Sequence, residues 1–411
     1  MSSVFIHVGQ CGNQLGRSFL NLISQDKTAA SDHVYVNGEG KARSVFIDSE
    51  PKVVQSLQKH ELVREKNVIQ GRRGRGANWA MGYHGTKFAE EDSILERALD
   101  AIRKEIERCE CFSGVIMVHS LCGGTGAGLG SRLVEQLRDD FPMQYLLSCV
   151  VAPHAQGESP MQHYNALLCH AWMQRYCDSV MMFENDGVLA HLEKHLKVRS
   201  GEKGVSLEKM NSHITQCMGG VFLPADSITP QGGCSLGQEP WEMLRSVCPM
   251  PSWKYLQTST LSKSKVSWEN LVGALVHNAR RFSPDGRSHS CIASLLVARG
   301  DTTGSFPSQQ VKIIDKVKQA YNCVHWNPFP VDCWTSRTNS VGPKMSATAT
   351  IAANTTSITD HLQTVMDSAR QKMQARAYLH WYSKYGMEEN DFDEAFETIE
   401  GTVTEYSEAA R

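Results

Sequence analysis

The chain has 411 residues, 41% of them hydrophobic and 21% charged, which excludes a disordered or fibrous polypeptide and is long enough for two or three domains with their own cores. A formal net charge of −2 excludes an overall field that would draw in DNA, RNA or anionic lipid, so any anion site must be local. The thirteen cysteines never take the paired CxxC spacing of a zinc or thioredoxin-type centre. MSSVFIHVGQCGNQLG has no signal-peptide pattern, and no run approaches the roughly 18 apolar residues of a membrane span, so reduced thiols in a cytoplasmic chain are expected.

In chain order, residues 4–8, 44–48, 114–120, 146–152 and 179–183 are short apolar runs that read as strands. Between them, 93–108 and 132–141 carry apolar residues at helical spacing: Ile94, Leu95, Ala98, Ala101 and Ile102, then Leu133, Val134 and Leu137. Strand, helix, strand repetition predicts an α/β fold with a mostly parallel sheet covered on both faces, whose ligands lie beyond the carboxyl ends of the strands. This first domain is expected over 1–186. A linking region with one helix, from residue 206 to about 219 and stopped by Pro224, follows over 187–224. The Gly-, Pro- and Ser-rich stretch 225–255 reads as a boundary or contact loop. A second α/β pattern occupies 225–364, with strands at 291–298, 323–326 and 345–351 and helices around 268–280 and 309–319. Two long helical stretches fill 365–411.

Three loops carry the chemistry. LCGGTGAGLG, residues 121–130, lies between a buried strand and a helix, where free backbone N–H groups and the positive helix end can meet a phosphate. Glycine there lets phosphate oxygens approach the backbone and allows positive φ. A tight turn without ligand is the competing reading, since the spacing fits neither GxGxxG nor a Walker loop. VGQCGNQLG, residues 8–16, again follows a strand and opens a helix, with Gln10, Asn13 and Gln14 facing the same end of the sheet. After another strand, Asp48-Ser49-Glu50-Pro51 supplies two carboxylates. Together the loops suit a nucleotide with a divalent cation.

GQCGNQLG, ANWAMGY, HSLCGGTGAGLGS, HYNALL, FEND at 183–186 and the terminal AYLHWY, YGMEENDF and EY resemble tubulin, in order and from end to end. The glycine loop is similar to the tubulin and FtsZ signature GGGTG[ST]G. Among tubulins the chain resembles the delta and zeta group, with the zeta type preferred from ESPMQHYNALL and the lack of an acidic tail. The resemblance implies GTP or GDP with Mg²⁺, in a GTP-binding domain followed by a central helix, a second α/β domain and a C-terminal helical hairpin. By position, Gly9, Gln10, Cys11 and Gln14 would touch phosphates and base. Asp48 and Glu50 would orient the Mg²⁺ water shell, and Asn78 would lie near the outer phosphate. Gly123, Gly124, Thr125, Gly126, Ala127 and Gly128 would wrap the phosphates, Asn185 and Asn211 would read the guanine edge, and Glu158 falls in the ribose loop.

Departures from the family pattern fall inside that set. Cys122 and Ala127 replace a glycine and a hydroxyl, Ala77 replaces the first Asn of a pair, Leu207 stands where an aromatic ring stacks on guanine, and Gln162 where a Glu often meets the ribose. Each removes one hydrogen bond or stacking contact, on the order of 1 kcal/mol apiece, so nucleotide binding is expected to be retained but weaker. In GQEPWEMLRSVCPMP, Glu242 occupies the position of the family's catalytic acid with Glu239 as its companion, acting in trans on the nucleotide of the next subunit. The basic run GRRGRG, 71–76, reads as a solvated loop beside the phosphates, with Arg73 or Arg75 neutralising the outermost one, and His119 reads as packing. The expected role is that of a GTP-binding cytoskeletal protein of the centrosome, centriole, basal body or cilium, with other tubulins, centriolar or basal-body proteins or its own copies as partners and no nucleic acid. A non-polymerising interaction module with a structural nucleotide is the alternative. A dinucleotide enzyme is disfavoured by the glycine spacing.

Overall fold

The computed structural model describes residues 2–25, 34–85, 94–157, 159–196, 204–225, 227–229, 241–277, 279–343 and 345–410. The chain runs β1 (Ser2–Val8), α1 (Gly9–Gln25), β2 (Ser44–Asp48), α2 (Pro51–Leu57), β3 (Val68–Gln70), α3 (Trp79–His84) and α4 (Ile94–Glu107). It continues through β4 (Phe112–Ser120), a wide π-helical turn (Gly124–Leu129), α5 (Gly130–Asp140), β5 (Tyr145–Ala152), α6 (Gln162–Tyr176), β6 (Ser179–Glu184) and α7 (Asn185–Leu196). The central helix α8 (Leu207–Phe222) leads to β7 (Ser227–Thr229), α9 (Glu242–Val247), β8 (Tyr255–Lys263), α10 (Trp268–Val276), β9 (Cys291–Arg299) and α11 (Phe306–Tyr321). Last come β10 (Val331–Ser336), β11 (Ala347–Thr355), α12 (Ile358–Gln374), α13 (Leu379–Ser383) and α14 (Glu389–Ala409).

The described strands form one eleven-stranded sheet in the order β3-β2-β1-β4-β5-β6-β8-β11-β9-β10-β7. From β3 to β8 every pairing is parallel, and every residue of β1 and β2 is buried, as a sheet covered on both faces requires. The α/β reading and the parallel first half are thus present. The second half joins the first through the parallel pair Val180 and Tyr255 rather than through a separate sheet. Strand order 3-2-1-4-5-6 places a topological switch point between β1 and β4, where successive connections leave in opposite directions and open a crevice at the carboxyl ends.

Helix α8 crosses the join. Gly220 leaves no room for a Cβ, which would sit 2.1 Å from Thr350 Oγ1 of β11, and Arg299 of β9 donates to the carbonyls of Gly220, Leu223 and Pro224 at the helix end. The described helices include none long and apolar enough to cross a membrane.

Some expected elements differ. Residues 323–326 are not a strand: Cys323 makes one isolated bridge to Cys291, and the strand begins only at Val331, after Asn327-Pro328-Phe329-Pro330, whose prolines lack the N–H a ladder needs. The stretch 225–255 carries β7 and α9 as well as irregular chain. Helix α6 gave no amphipathic signal because it is buried almost all round, from Tyr164 through Ala171. The polar strand β8, YLQTSTLSK, escaped because threonine and serine occupy its inward as well as its outward positions.

Candidate functional site

A cavity of about 400 Å³ opens at the switch point. Its walls bring together Gly9, Gln10, Cys11 and Gln14 from the β1–α1 turn, Asp48 and Glu50 from the β2–α2 loop, Gly123 to Gly126 from the glycine loop, and Asn185 and Asn211 from α7 and α8. These residues lie far apart in sequence. The parallel sheet delivers them to one place because every strand that precedes such a loop ends on the same edge.

The loops are locked to one another. Gly9 has φ +74°, and a Cβ there would lie 2.9 Å from the Gly126 nitrogen, so only glycine lets the first turn press against the glycine loop. The hydroxyls of Ser49 and Thr125 lie 2.5 Å apart and join the carboxylate loop to the glycine loop. Asn13 does not face the cavity: its amide donates to the carbonyls of Gly9 (2.8 Å) and Ile47 (2.9 Å), tying β1 to β2.

The glycines of residues 123–128 serve a purpose other than positive φ, which none of them adopts. A Cβ on Gly124 would meet the Arg75 carbonyl at 2.4 Å, and one on Gly128 the Trp79 carbonyl at 2.2 Å. Gly82 of α3 presses on the Gly124 carbonyl from the other side, so these glycines admit a neighbouring backbone as closely as they would admit a phosphate.

Three sequence-predicted residues are not on the wall. Asn78 caps α3, accepting from the Met81 N–H at 3.1 Å, and donates to the Trp381 carbonyl at 3.1 Å. Ala127 is fully buried in the apolar core, and Gly128 packs against α3. Glu158 and Glu239 lie outside the described residues. Glu242 is 8% exposed at the start of α9, and Trp241 before it stacks at 5.4 Å on Tyr145, the first residue of β5. The cavity touches β5 at its other end, at Val151. Six steps of about 3.3 Å along β5, from Tyr145 to Val151, put Glu242 roughly 20 Å from the cavity of its own chain.

The structure adds residues that sequence reasoning passed over. Lys52, Val53, Ser120 and Pro153 line the cavity. Arg75, one of the two arginines expected beside the phosphates, lines it too, with its side chain largely buried. Asn165 is the hub. Fully buried on α6, it donates to the carbonyls of Ala77 and Cys122, both at 2.7 Å, and accepts from the Trp79 N–H at 2.9 Å and the Tyr382 hydroxyl at 2.6 Å. The only sequence signal for it was its place in HYNALL. His119, read as packing, is buried with Nε2 2.7 Å from the Ser148 hydroxyl.

Burial pushes the Asp48 carboxyl up to about 6, and the neighbouring Glu50 charge adds to it against the N–H groups of Glu50 and Ser49. A desolvated carboxylate beside a second acid is the environment that a divalent cation with its water shell relieves, so Asp48 and Glu50 fit the metal expected of the site. The fold alone holds the Asp48 charge at a cost. Because its folded pKa is raised, the stability it contributes as a neutral group falls as pH rises from about 3.8 to about 6 and stays lost above. Asp48→Asn is therefore expected to raise the stability of nucleotide-free protein at pH 7.5 by up to ~3 kcal/mol, measured by denaturant unfolding in chelator, and to abolish any added stability from Mg²⁺.

Ala77 has φ +49°, a left-handed conformation that asparagine tolerates and alanine does not. Ala77→Asn is expected to stabilise by ~1 kcal/mol, read as a rise in the denaturant midpoint; a fall would show that the amide clashes with the cavity wall.

Residues 2–193 match the Tubulin/FtsZ family, GTPase domain. The whole chain is similar to the tubulin delta chain of Canis lupus familiaris and to that of Homo sapiens, each 26% identical with 99% of both chains covered. It is equally similar to the nucleomorph tubulin beta chain of Guillardia theta, 26% identical with 98% of this chain and 95% of that one covered.

Proposed function

We propose that this chain, a divergent member of the tubulin family, binds GTP or GDP with Mg²⁺ in the switch-point cavity and acts in the cytoskeleton through contacts with other tubulins or with centriolar or basal-body proteins. One observation carries the reading: the amide turn, the carboxylate loop, the glycine loop and both predicted base-reading asparagines line a single cavity. Backbone N–H groups at the starts of α1 and α5 receive the phosphates, Asp48 and Glu50 hold the water shell of Mg²⁺, and Asn185 and Asn211 receive the guanine edge. Arg75 and Lys52 bring positive charge to the phosphate end. Leu207 is 55% exposed at the rim, so the base is gripped without a stacked ring.

The test is direct. Purified protein, denatured and chromatographed, is expected to release guanine nucleotide, and GTP but not ATP is expected to raise its melting temperature. A nucleotide-free protein indifferent to GTP sinks the reading.

Hydrolysis, on this reading, is intermolecular. Glu242 is a strand length from its own cavity, so it can align a water only at the nucleotide of a second copy or a related subunit stacked head to tail. Glu242→Gln is expected to leave nucleotide content unchanged while lowering assembly-dependent phosphate release at least tenfold; unchanged release removes Glu242 from the mechanism. The second reading is a monomeric interaction module that keeps nucleotide only to stay folded, and Leu207 together with the strained Ala77 favours it. Electron microscopy of the protein with GTP, alone and with alpha/beta-tubulin, separates the two by the presence of filaments.

A further inference from the structure

Cys291 opens β9 and is fully buried, and Cys323 follows Asn322, which ends α11. The two are direct partners in a parallel bridge. The backbone is pinned on both sides of it: the Cys291 N–H donates to the Asn322 carbonyl at 3.2 Å, and the Val324 N–H donates to the Cys291 carbonyl at 3.0 Å. Asn322 is itself held in a left-handed conformation, φ +49°, by its amide donating to the His289 carbonyl and the Ser290 hydroxyl, both at 3.1 Å. Paired residues on neighbouring strands stand about 4.8 Å apart, inside the Cα separation that a disulfide spans without backbone movement, and they project to the same face. The Cys291 thiol donates to the Ala293 carbonyl at 3.3 Å, and the bridge sets Cys323 directly beside it.

We infer that Cys291 and Cys323 are a reversible disulfide site, closed by a mild peroxide oxidant and opened by thiol reductants. The two thiols differ as such a pair requires. Cys323 is half-buried and therefore reachable, and the bond from the Cys291 thiol, with the Lys318 ammonium, holds its own thiol below the ordinary range. Cys291, like Cys149, Cys169, Cys177, Cys217 and Cys333, is buried with its thiol pushed up, so Cys323 is the member of the pair that meets the oxidant first. The Cys323 thiolate attacks one oxygen of hydrogen peroxide, breaking the O–O bond to form a sulfenic acid and release hydroxide. The Cys291 sulfur then attacks the sulfenic sulfur and expels its oxygen, so that two thiols and one peroxide become one disulfide and two waters.

The bond would fasten the α11–β10 loop to the sheet. That loop carries Trp326, 47% exposed, whose Nε1 donates to the Ala409 carbonyl at 2.9 Å, and Asn327, whose amide donates to the Ile292 carbonyl at 2.9 Å. Oxidation therefore stiffens a surface that joins the second half of the sheet to the C-terminal helix.

The experiment treats the full-length protein with submillimolar hydrogen peroxide, alkylates under denaturing conditions before and after reduction, and maps the peptides by mass spectrometry. The expected result is a cross-linked peptide pair containing 291 and 323, loss of two alkylatable thiols that reductant restores, and a melting temperature raised by a few degrees in the oxidised protein. Cys323→Ser is expected to leave Cys291 fully alkylatable and to abolish the shift. Sulfinic acid at Cys323 with Cys291 still alkylatable overturns the inference, as does a cross-link elsewhere; the mapping of the wild-type chain decides this whether or not the variant folds.

Discussion

Asn165→Ala is expected to destabilise the protein by ~3–6 kcal/mol and to empty the nucleotide cavity. Four hydrogen bonds of 2.6 to 2.9 Å saturate the Asn165 amide, and their partners are the Ala77 and Cys122 carbonyls, the Trp79 N–H and the Tyr382 hydroxyl. Truncation leaves these groups buried without their partner, at about 1–3 kcal/mol for each that water cannot reach. The loss falls on the loop 75–78, the glycine loop and the C-terminal α13 together, because all three hang on one side chain. Tyr382→Phe removes only one of the bonds and calibrates the series, with an expected cost of ~1–2 kcal/mol. Asn165→Asp keeps the acceptor but cannot donate to two carbonyls and buries a charge, so it is expected to behave like Asn165→Ala. Denaturant midpoints and nucleotide content, measured together, check the prediction. An Asn165→Ala protein with wild-type stability and bound nucleotide contradicts it.

Acid should unfold this protein early, near pH 5. His7, His119 and His170 are fully buried, and His361 lies with Nε2 3.2 Å from Nε2 of His170. Desolvation holds His7 down to about 3 and His119 and His361 down to about 4, and drives His170 far below the ordinary value. A histidine whose folded pKa is lowered keeps its full contribution above the unfolded value of 6.5 and loses it as pH falls from there toward the folded value. Each therefore costs ~2 kcal/mol by pH 5, and the three fully buried rings together ~6 kcal/mol, comparable to the whole stability of many domains. Asp48 acts oppositely, regaining ~1 kcal/mol as it takes up its proton below about 6, which is too little to compensate. Circular dichroism against pH should show a steep transition between pH 6 and 4.5. In His7→Phe the ring keeps its stacking between Phe5 and Phe46 and gives up two nitrogens that have no hydrogen-bond partner among the described residues, so the transition should become shallower by one proton. A protein stable at pH 4, or a His7→Phe slope unchanged from wild type, counts against the account.

Both predictions concern residues whose importance local pattern could not reveal. His7 sits in a strand that periodicity found correctly, but its burial between two aromatic rings depends on β2 lying alongside. Asn165 sits on a helix whose faces are all covered, so the sequence around it shows no polar side to mark. The missing strand at 323–326 has the same origin: a short apolar run reads as a strand, and only the prolines that follow and the depth of the neighbouring sheet decide whether it pairs.

By itself the sequence determined the alternation of strands and helices in the first half, the positions of the three loops at strand ends and the identity of most cavity-lining residues. The alternation and the loop positions follow from side-chain periodicity and from backbone rules that act within a few residues, whereas most of the individual cavity-lining residues are what the resemblance to tubulin implies. Tertiary structure alone decided that Asn78 caps a helix, that Ala127 faces the core and that Gly124 and Gly128 make room for another backbone rather than for positive φ. It also decided that Glu242 stands at the far end of the sheet from its own cavity. The direction of a side chain, and the neighbour it meets, depend on segments tens to hundreds of residues away, and no local pattern encodes that packing.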